Sequence, residues 1–301
     1  MYHNPVLLNQ SIDALVVNPD GVYIDCTFGG GGHSKEILKR LSPKGKLFGF
    51  DQDLDAQKNK IYDDRFVLIQ QNFRFIQNFL RFYGIEKADG ILADLGVSSH
   101  QFNVAERGFS TRFEGDLDMR MNINQPISAK NIINEYSEEK LADIIFQYGE
   151  LREAKRLAKE IVQYRSTKPI KTTKELKDIF HYIPKKIENK FFAQLFQAIR
   201  IEVNEELTVI KEMLKQAQSI LKNEGRLVVI SYHSLEDRLV KRFLKIGLFE
   251  GEPKKDIFGN WNKPFKELQT KAIIPNENEI KENSRARSAK MRIGIKNEES
   301  K

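Results

Sequence analysis

Short apolar runs and helical repeats alternate along the first part of this chain. The runs at 22–24, 47–50, 66–69 and 89–94 are bounded by polar or turn-forming residues, as strands buried on both faces are. Between the first two, Ile37, Leu38 and Leu41 share one face of a helix that Pro43, Lys44 and Gly45 bring to an end. Phe75, Phe79 and Phe82 recur at helical spacing, which predicts a second helix burying its phenylalanines. Strand, helix and strand in turn predict an α/β fold on a parallel sheet. Past residue 105 the pattern changes. A stretch without a clean period, 107–122, reads as an ordered loop over the active-site rim, and helices follow at 138–148, 150–164, 173–181 and 190–204 with no strand among them. A long helix over 205–222 ends at Asn223-Glu224-Gly225, and a fifth strand over 226–231 resumes the alternation. Ser234 opens the next helix, running to Leu244, as its cap, with Asp237 three residues on. Met291, Ile293 and Ile295 alternate as a final edge strand would. The expected division is a core of 1–104 and 205–301 with an inserted helical domain, 105–204.

Chemistry concentrates where the first strand meets the first helix. Residues 23–53 read YIDCTFGGGGHSKEILKRLSPKGKLFGFDQD: strand, glycine turn, helix, strand, acid. Glycine permits φ > 0 and lets a ligand approach the main chain without a Cβ in the way. Asp51, 20 positions beyond Gly31, sits where an acid accepts hydrogen bonds from a ribose diol. The dinucleotide fingerprint is half met, because Gly29 and Gly31 fit but the third position is Ser34. A pyrophosphate calls for a glycine-lined helix N-terminus. The better match is a nucleoside ligand without phosphates, such as S-adenosylmethionine. Asp25, Asp51 and Asp94 each end a predicted strand, at the edge where doubly wound sheets bind ligands. Phe73, just past the third strand, is placed to stack on an adenine ring, and the small, polar segment 94–101 suits a substrate-facing loop.

Composition adds less. With 40% hydrophobic and 30% charged residues the chain is an ordinary globular protein. It has no membrane-span run and no signal peptide, so a cytoplasmic protein is expected. A lone cysteine, Cys26, in the first predicted strand forms no intrachain disulfide, and without a Cys/His cluster no metal is expected. The net charge of +7 is localised, since residues 151–200 hold 13 Lys and Arg against 5 Asp and Glu, an excess of 13 − 5 = +8. Within it, Ala154, Leu157, Ala158 and Ile161 form an apolar stripe, and Arg152, Lys155, Arg156 and Lys159 form a basic one roughly opposite. A polyanion such as RNA fits that face, as does a solvated surface. Four basic residues within 285–292 admit the same two readings, phosphate contact or an ordinary basic tail.

The ordered blocks HNPVLL (3–8), DCTFGGGGHS (25–34), DGILADLGVSSHQ (89–101), RGFS with LDMRM (107–121), FQAIRIEVNEEL (196–207), GRLVVISYHSLEDRLVKRF (225–243) and RARSAKMR (285–292) together resemble the MraW family of bacterial small-subunit ribosomal RNA methyltransferases. The resemblance spans nearly the whole chain. It implies a class I, Rossmann-like S-adenosylmethionine methyltransferase core with an inserted all-helical domain for RNA recognition. It also implies N4-methylation of a cytidine in the decoding region of 16S ribosomal RNA, with small-subunit RNA as partner and no membrane. Carried over by motif, the cofactor site comprises Gly31, Gly32, His33, Asp51, Phe73, Asp94 and Gln101; His33 and Gln101 rest mainly on the resemblance. Two departures stand out: EGDLDMRM where the family usually has a glycine-proline pair, and Phe191-Phe192 where a His-Pro pair is common.

The cytosine amine is a poor nucleophile, because its lone pair is conjugated into the ring. The Asn/Asp-Pro-Pro-aromatic device that many amino-methyltransferases place after the fourth strand is replaced here by Asp94-Leu95-Gly96-Val97. Asp94, Ser98 and His233 are the candidates for the catalytic group, and His233 is equally suited to packing beneath the loop. A nicotinamide-dependent oxidoreductase shares the βαβ unit but wants the third glycine. A non-catalytic RNA-binding protein explains the basic insert but not three aligned acids. The oligomeric state is open, a homodimer being one option.

Overall fold

Strand β1 (Val22–Asp25) is the hub of the sheet. In the computed structural model, which describes residues 5–298, β1 pairs in parallel with both β2 (Lys46–Phe50) and β4 (Ala88–Asp94). His3 and Asn4 of the HNPVLL block lie outside the described residues. Strand β3 (Phe66–Ile69) extends the parallel set beyond β2, and β5 (Leu221–Ser231) extends it beyond β4. Two C-terminal strands complete the seven-stranded order β3-β2-β1-β4-β5-β7-β6, with β7 (Lys290–Lys296) antiparallel to β5 and to β6 (Phe265–Glu267). Among the described residues there are two compact units, one up to Gly96 together with the part from Leu207 onward, and one from Val97 to Glu206.

Both faces of the sheet are buried, which is why its strands are continuous apolar runs rather than alternating ones. Ile24, Phe48, Phe50, Ile91 and Val229 face one core, and Tyr23, Leu47, Leu92, Val228 and Ile293 face the other. Helices α1 (Leu8–Leu15) and α2 (Gly32–Arg40) cover the second face with Ile12, Leu15, Ile37 and Leu38. Helix α3 (Ile76–Phe82) contributes to the first face, but through Ile76 and Leu80. Phe75 and Phe82 are exposed and Phe79 packs only partly, so the phenylalanine spacing misidentified the buried face by one residue.

The second unit holds α4 (Ser99–Asn103), α5 (Ala129–Glu135), α6 (Glu138–Gln147), α7 (Ala154–Arg165), α8 (Thr173–Ile179) and α9 (Lys185–Asn204). Val97 and Phe102 pack on its core, so the loop after β4 belongs to this unit, which begins at Val97 rather than at 105. Helix α5 escaped the periodicity because it is two turns long; a Ser128–Asn131 capping box starts it. The LDMRM segment is pinned by Asn204, whose side chain donates to the Met119 carbonyl (2.8 Å) and accepts from the Met121 amide (2.8 Å). On α7, Ala154, Leu157, Ala158 and Ile161 are buried while Lys155, Arg156 and Lys159 are exposed, as is Arg152 just before it.

The chain returns to the sheet through α10 (Glu206–Ile220), followed by α11 (Ser234–Ile246) and α12 (Glu277–Glu282). Strand β5 already begins at Leu221, so the long helix stops two residues short of the expected end. The cap of α11 is His233 with Glu236, not Ser234 with Asp237. Asp237 is committed elsewhere: Arg292 donates to both its oxygens, at 2.6 and 3.2 Å, in a buried pair. Arg292 is therefore a strut on β7, which lies inside the sheet rather than at its edge, and not a phosphate contact. Arg292→Leu is expected to cost about 3–5 kcal/mol in urea unfolding, because Asp237 would be left buried without its main partner.

Candidate active site

The glycine turn is held from beneath by Asp25. Its Oδ2 accepts from the Ser34 hydroxyl (2.7 Å) and its Oδ1 from the Thr27 amide (3.1 Å). Fully buried, its carboxyl is pushed above the usual range by desolvation, with those hydrogen bonds pulling the other way. Asp25 thus braces the turn from inside, and Ser34 stands where a third glycine was missing because its hydroxyl is that brace's partner. Gly29 (φ +51°) and Gly31 (φ +74°) adopt left-handed backbone, and a Cβ on Gly31 would come within 3.0 Å of the Phe28 ring. Gly32 is needed for another reason: a Cβ there would lie 2.2 Å from Pro5. The N-terminal segment is thereby packed on the turn, and Glu279 of α12 holds it by accepting from the Leu7 amide (2.6 Å).

Two carboxylates stand at the carboxyl ends of β2 and β4, the two strands that flank β1. Asp51, after β2, is half-buried; its oxygens accept from the amides of Gly29 and Asp53, both at 2.8 Å. Asn59 donates to the Gly29 carbonyl (3.0 Å), so the turn is gripped on both sides. Desolvation nonetheless raises the Asp51 carboxyl to about 6, and the nearby Asp53 and Asp25 add to that rise. Asp94, at the end of β4, is also raised to about 6 by desolvation, opposed by His33 and by the Tyr232 hydroxyl. Its amide donates to Thr27 Oγ1 (2.8 Å), and Tyr232 donates to its Oδ1 (2.8 Å). Its Oδ2 stands 3.9 Å from His33 Nδ1. Burial lowers the pKa of His33, whose Nε2 lies 3.2 Å from the Val6 carbonyl. With Nε2–H donating to that carbonyl, the neutral ring turns its Nδ1 lone pair toward Asp94.

Phe73 opens the turn after β3. Asn72 joins this turn to the end of β2 by donating to Gln52 (3.0 Å). Arg74 anchors it to α10 through Glu212, at 2.7 and 2.9 Å, and Gln216 through the Arg74 carbonyl (2.6 Å). The Phe73 ring is half-buried against the core. Strand ends thus bring Gly31, His33, Asp51, Phe73 and Asp94 into one unit, along one edge of one sheet. Ser98 and Gln101 fall in the other unit, where they form a reciprocal capping box that starts α4: Gln101 N–H donates to Ser98 Oγ (3.2 Å) and Ser98 N–H to Gln101 Oε1 (3.1 Å). His233 Nε2 is 3.2 Å from Glu236 Oε1, and Glu236 Oε2 accepts from the Tyr232 amide (2.8 Å). Glu236, 1% exposed, therefore fixes the corner carrying Tyr232 and His233. Tyr232 escaped the sequence reading. The rule that singled out Asp25, Asp51 and Asp94, a polar group just past a strand's carboxyl end, applied equally to the residue after β5.

A parallel sheet with an antiparallel seventh strand, a glycine turn after β1 and acids after β2 and β4 is the core of a class I methyltransferase. The model of the MraW methylase family matches residues 1–297. The chain is 60% identical over 296 residues to the ribosomal RNA small subunit methyltransferase H of Flavobacterium johnsoniae and to that of Christiangramia forsetii, covering 98% of this chain and 98% of each relative. The crystal structure of a putative rRNA-methylase from Clostridium thermocellum is similar at a TM-score of 0.45 and 14% identity, covering 97% of this chain and 98% of that one. The chain belongs to the MraW methylase family. Among the described residues no helix is long and apolar enough to cross a membrane.

Proposed function

We propose that the rim just described binds S-adenosylmethionine and that the enzyme transfers its methyl group to N4 of a cytidine in the decoding region of small-subunit ribosomal RNA. The observation that carries this reading is the pair Asp51 and Asp94, two desolvated carboxylates with no lysine or arginine ion pair among the described residues. Such carboxylates suit a cationic ligand, whose charge would offset their desolvation. S-adenosylmethionine when bound supplies a methyl group on a positively charged sulfur. Asp51 would take the ribose hydroxyls, Phe73 the adenine face, and Gly31 and Gly32 a close main-chain approach. His33, through the Val6 carbonyl, would hold the N-terminal segment over the turn.

Methyl transfer needs alignment and a place for the amine proton. Asp94 is the acceptor: Tyr232 fixes one of its oxygens, and the other faces no N–H donor from His33. A carboxyl near 6 is largely ionised at neutral pH, which a general base requires. Ser98 and His233, the other two candidates, have local duties in capping helices. The target base must leave its stack to reach this edge, and the basic stripe of the helical unit would hold the surrounding RNA backbone. The setting is the cytoplasm, where ribosomal subunits are made. Titration calorimetry should show S-adenosylmethionine binding and no NAD binding; the reverse would sink the reading. Small subunits from a strain lacking the enzyme should gain a methylated cytidine by mass spectrometry.

A further inference from the structure

Within the helical unit, a cavity of about 480 Å³ lies between the loop 111–114, α8 and the start of α9. We propose that it is a docking subsite for one unpaired nucleotide of the substrate RNA, a proposal that rests on RNA being the substrate. The volume falls in the range of small-ligand sites, which is ~300–1,000 Å³.

The loop wall is built, not loose. Thr173 at the start of α8 donates from its hydroxyl to the Phe113 carbonyl (3.0 Å) and accepts there from the Gly115 amide (3.1 Å). Its own amide donates to the Gly115 carbonyl (2.9 Å), and Lys177 donates to the Thr111 carbonyl (2.9 Å). A Cβ on Gly115 would lie 1.8 Å from the Ala105 carbonyl oxygen, so only glycine lets the loop pack this closely there. On this braced loop Phe113 is nevertheless 49% exposed. An exposed ring on a braced loop, in a wall that also carries cations, is how proteins stack a single-stranded base.

The charges around the cavity select the ligand further. Lys174 is paired with Asp178 (2.8 Å) and Lys177 lies over the Phe192 ring. The guanidinium of Arg112 and the ammonium of Lys185 have no ion-pair partner among the described residues, and each is exposed. They suit a phosphate on either side of the stacked base. Glu114 and Glu188 also line the cavity, which disfavours a bare polyphosphate but offers acceptors for the amino group of a base. The basic stripe of α7 is linked to the segment after α8: Arg156 stands over the Tyr182 ring, and Tyr182 follows His181 of the cavity wall.

The test uses full-length enzyme and a fluorescent RNA hairpin copying the decoding region. Phe113→Ala and the pair Arg112→Glu with Lys185→Glu should each weaken hairpin binding by about 5- to 30-fold in anisotropy. They should raise KM for RNA, leaving kcat and S-adenosylmethionine affinity within about twofold. Should the charge pair unfold the chain, Arg112→Gln alone, on an exposed side chain, gives the same reading with a smaller shift. Wild-type hairpin affinity in folded variants overturns the subsite. A parallel variant, Arg152→Glu with Lys159→Glu, separates the levels: if it weakens binding while the cavity variants do not, only the subsite fails. If neither set matters, the RNA-binding role of the helical unit fails with it.

Discussion

Asp94→Asn is expected to cut methyl transfer by about 10²–10⁴-fold, the usual worth of a general base, while making the protein more stable. The two effects have one cause. The folded-state pKa of Asp94 is about 6, above its ordinary value of 3.8, because the fold desolvates the carboxylate. A group whose pKa is raised on folding contributes stability that is fully present below the unfolded value and lost as pH rises through the folded one. At neutral pH the ionised Asp94 is therefore a cost, by up to ~3 kcal/mol for a shift of roughly two units. Asparagine keeps an acceptor for the Tyr232 hydroxyl and sheds the charge. Its melting temperature should exceed wild type at pH 7.5 and approach it at pH 4; a lower one at pH 7.5 would contradict the desolvation account. The wild-type rate at saturating cofactor should rise about tenfold per unit along an acid limb that levels off below pH 6, since the bound cation favours ionised Asp94, and the Asn variant should lack that limb. Tyr232→Phe tests the support: it should move the limb with a smaller loss, since it removes a donor that lowers the pKa of Asp94.

How much of this was legible beforehand differs from residue to residue. The sheet was, because a strand buried on both faces leaves an uninterrupted apolar run, and the acid closing each run marks the edge that matters. Phe75 and Phe82 misled because spacing alone does not say which of two adjacent helical faces is covered. Here Ile76 and Leu80 are, since α10 packs on that side. The alternation at the C-terminus gave β7 but not its place, because Phe265 to Glu267, the true edge, is only three residues long. His233 won the cap of α11 from Ser234 through Glu236, a carboxylate whose burial no local pattern announces. The same long-range dependence hid Tyr232. Its hydroxyl meets Asp94 138 positions away in sequence, and only the neighbouring of β4 and β5 joins them. The cofactor roles proposed for His33 and Gln101 rest on family likeness, since neither position has a sequence signature of its own.

Asp51→Asn should weaken S-adenosylmethionine binding by about 100-fold or more while leaving a folded protein. Both oxygens of Asp51 accept main-chain N–H groups, from Gly29 on one side and Asp53 on the other. An amide supplies one acceptor only, so its NH₂ must face one of these donors. An unsatisfied donor in this partly buried place costs ~1–3 kcal/mol, and the lost charge adds to it for a cationic ligand. The damage falls on the turn that must receive the cofactor, since the Gly29 amide is where the carboxylate sets the loop. Because the carboxyl titrates near 6, wild-type affinity should itself fall as pH drops below that value. Binding near pH 6 should also release protons, as the cationic ligand stabilises the ionised form. Calorimetry in two buffers of different ionisation enthalpy measures that release directly. Asp51→Asn should diminish it and Asp94→Asn should diminish it separately, leaving none in the double variant. Proton release that survives the loss of both carboxylates would place the methyl donor against some other part of the chain.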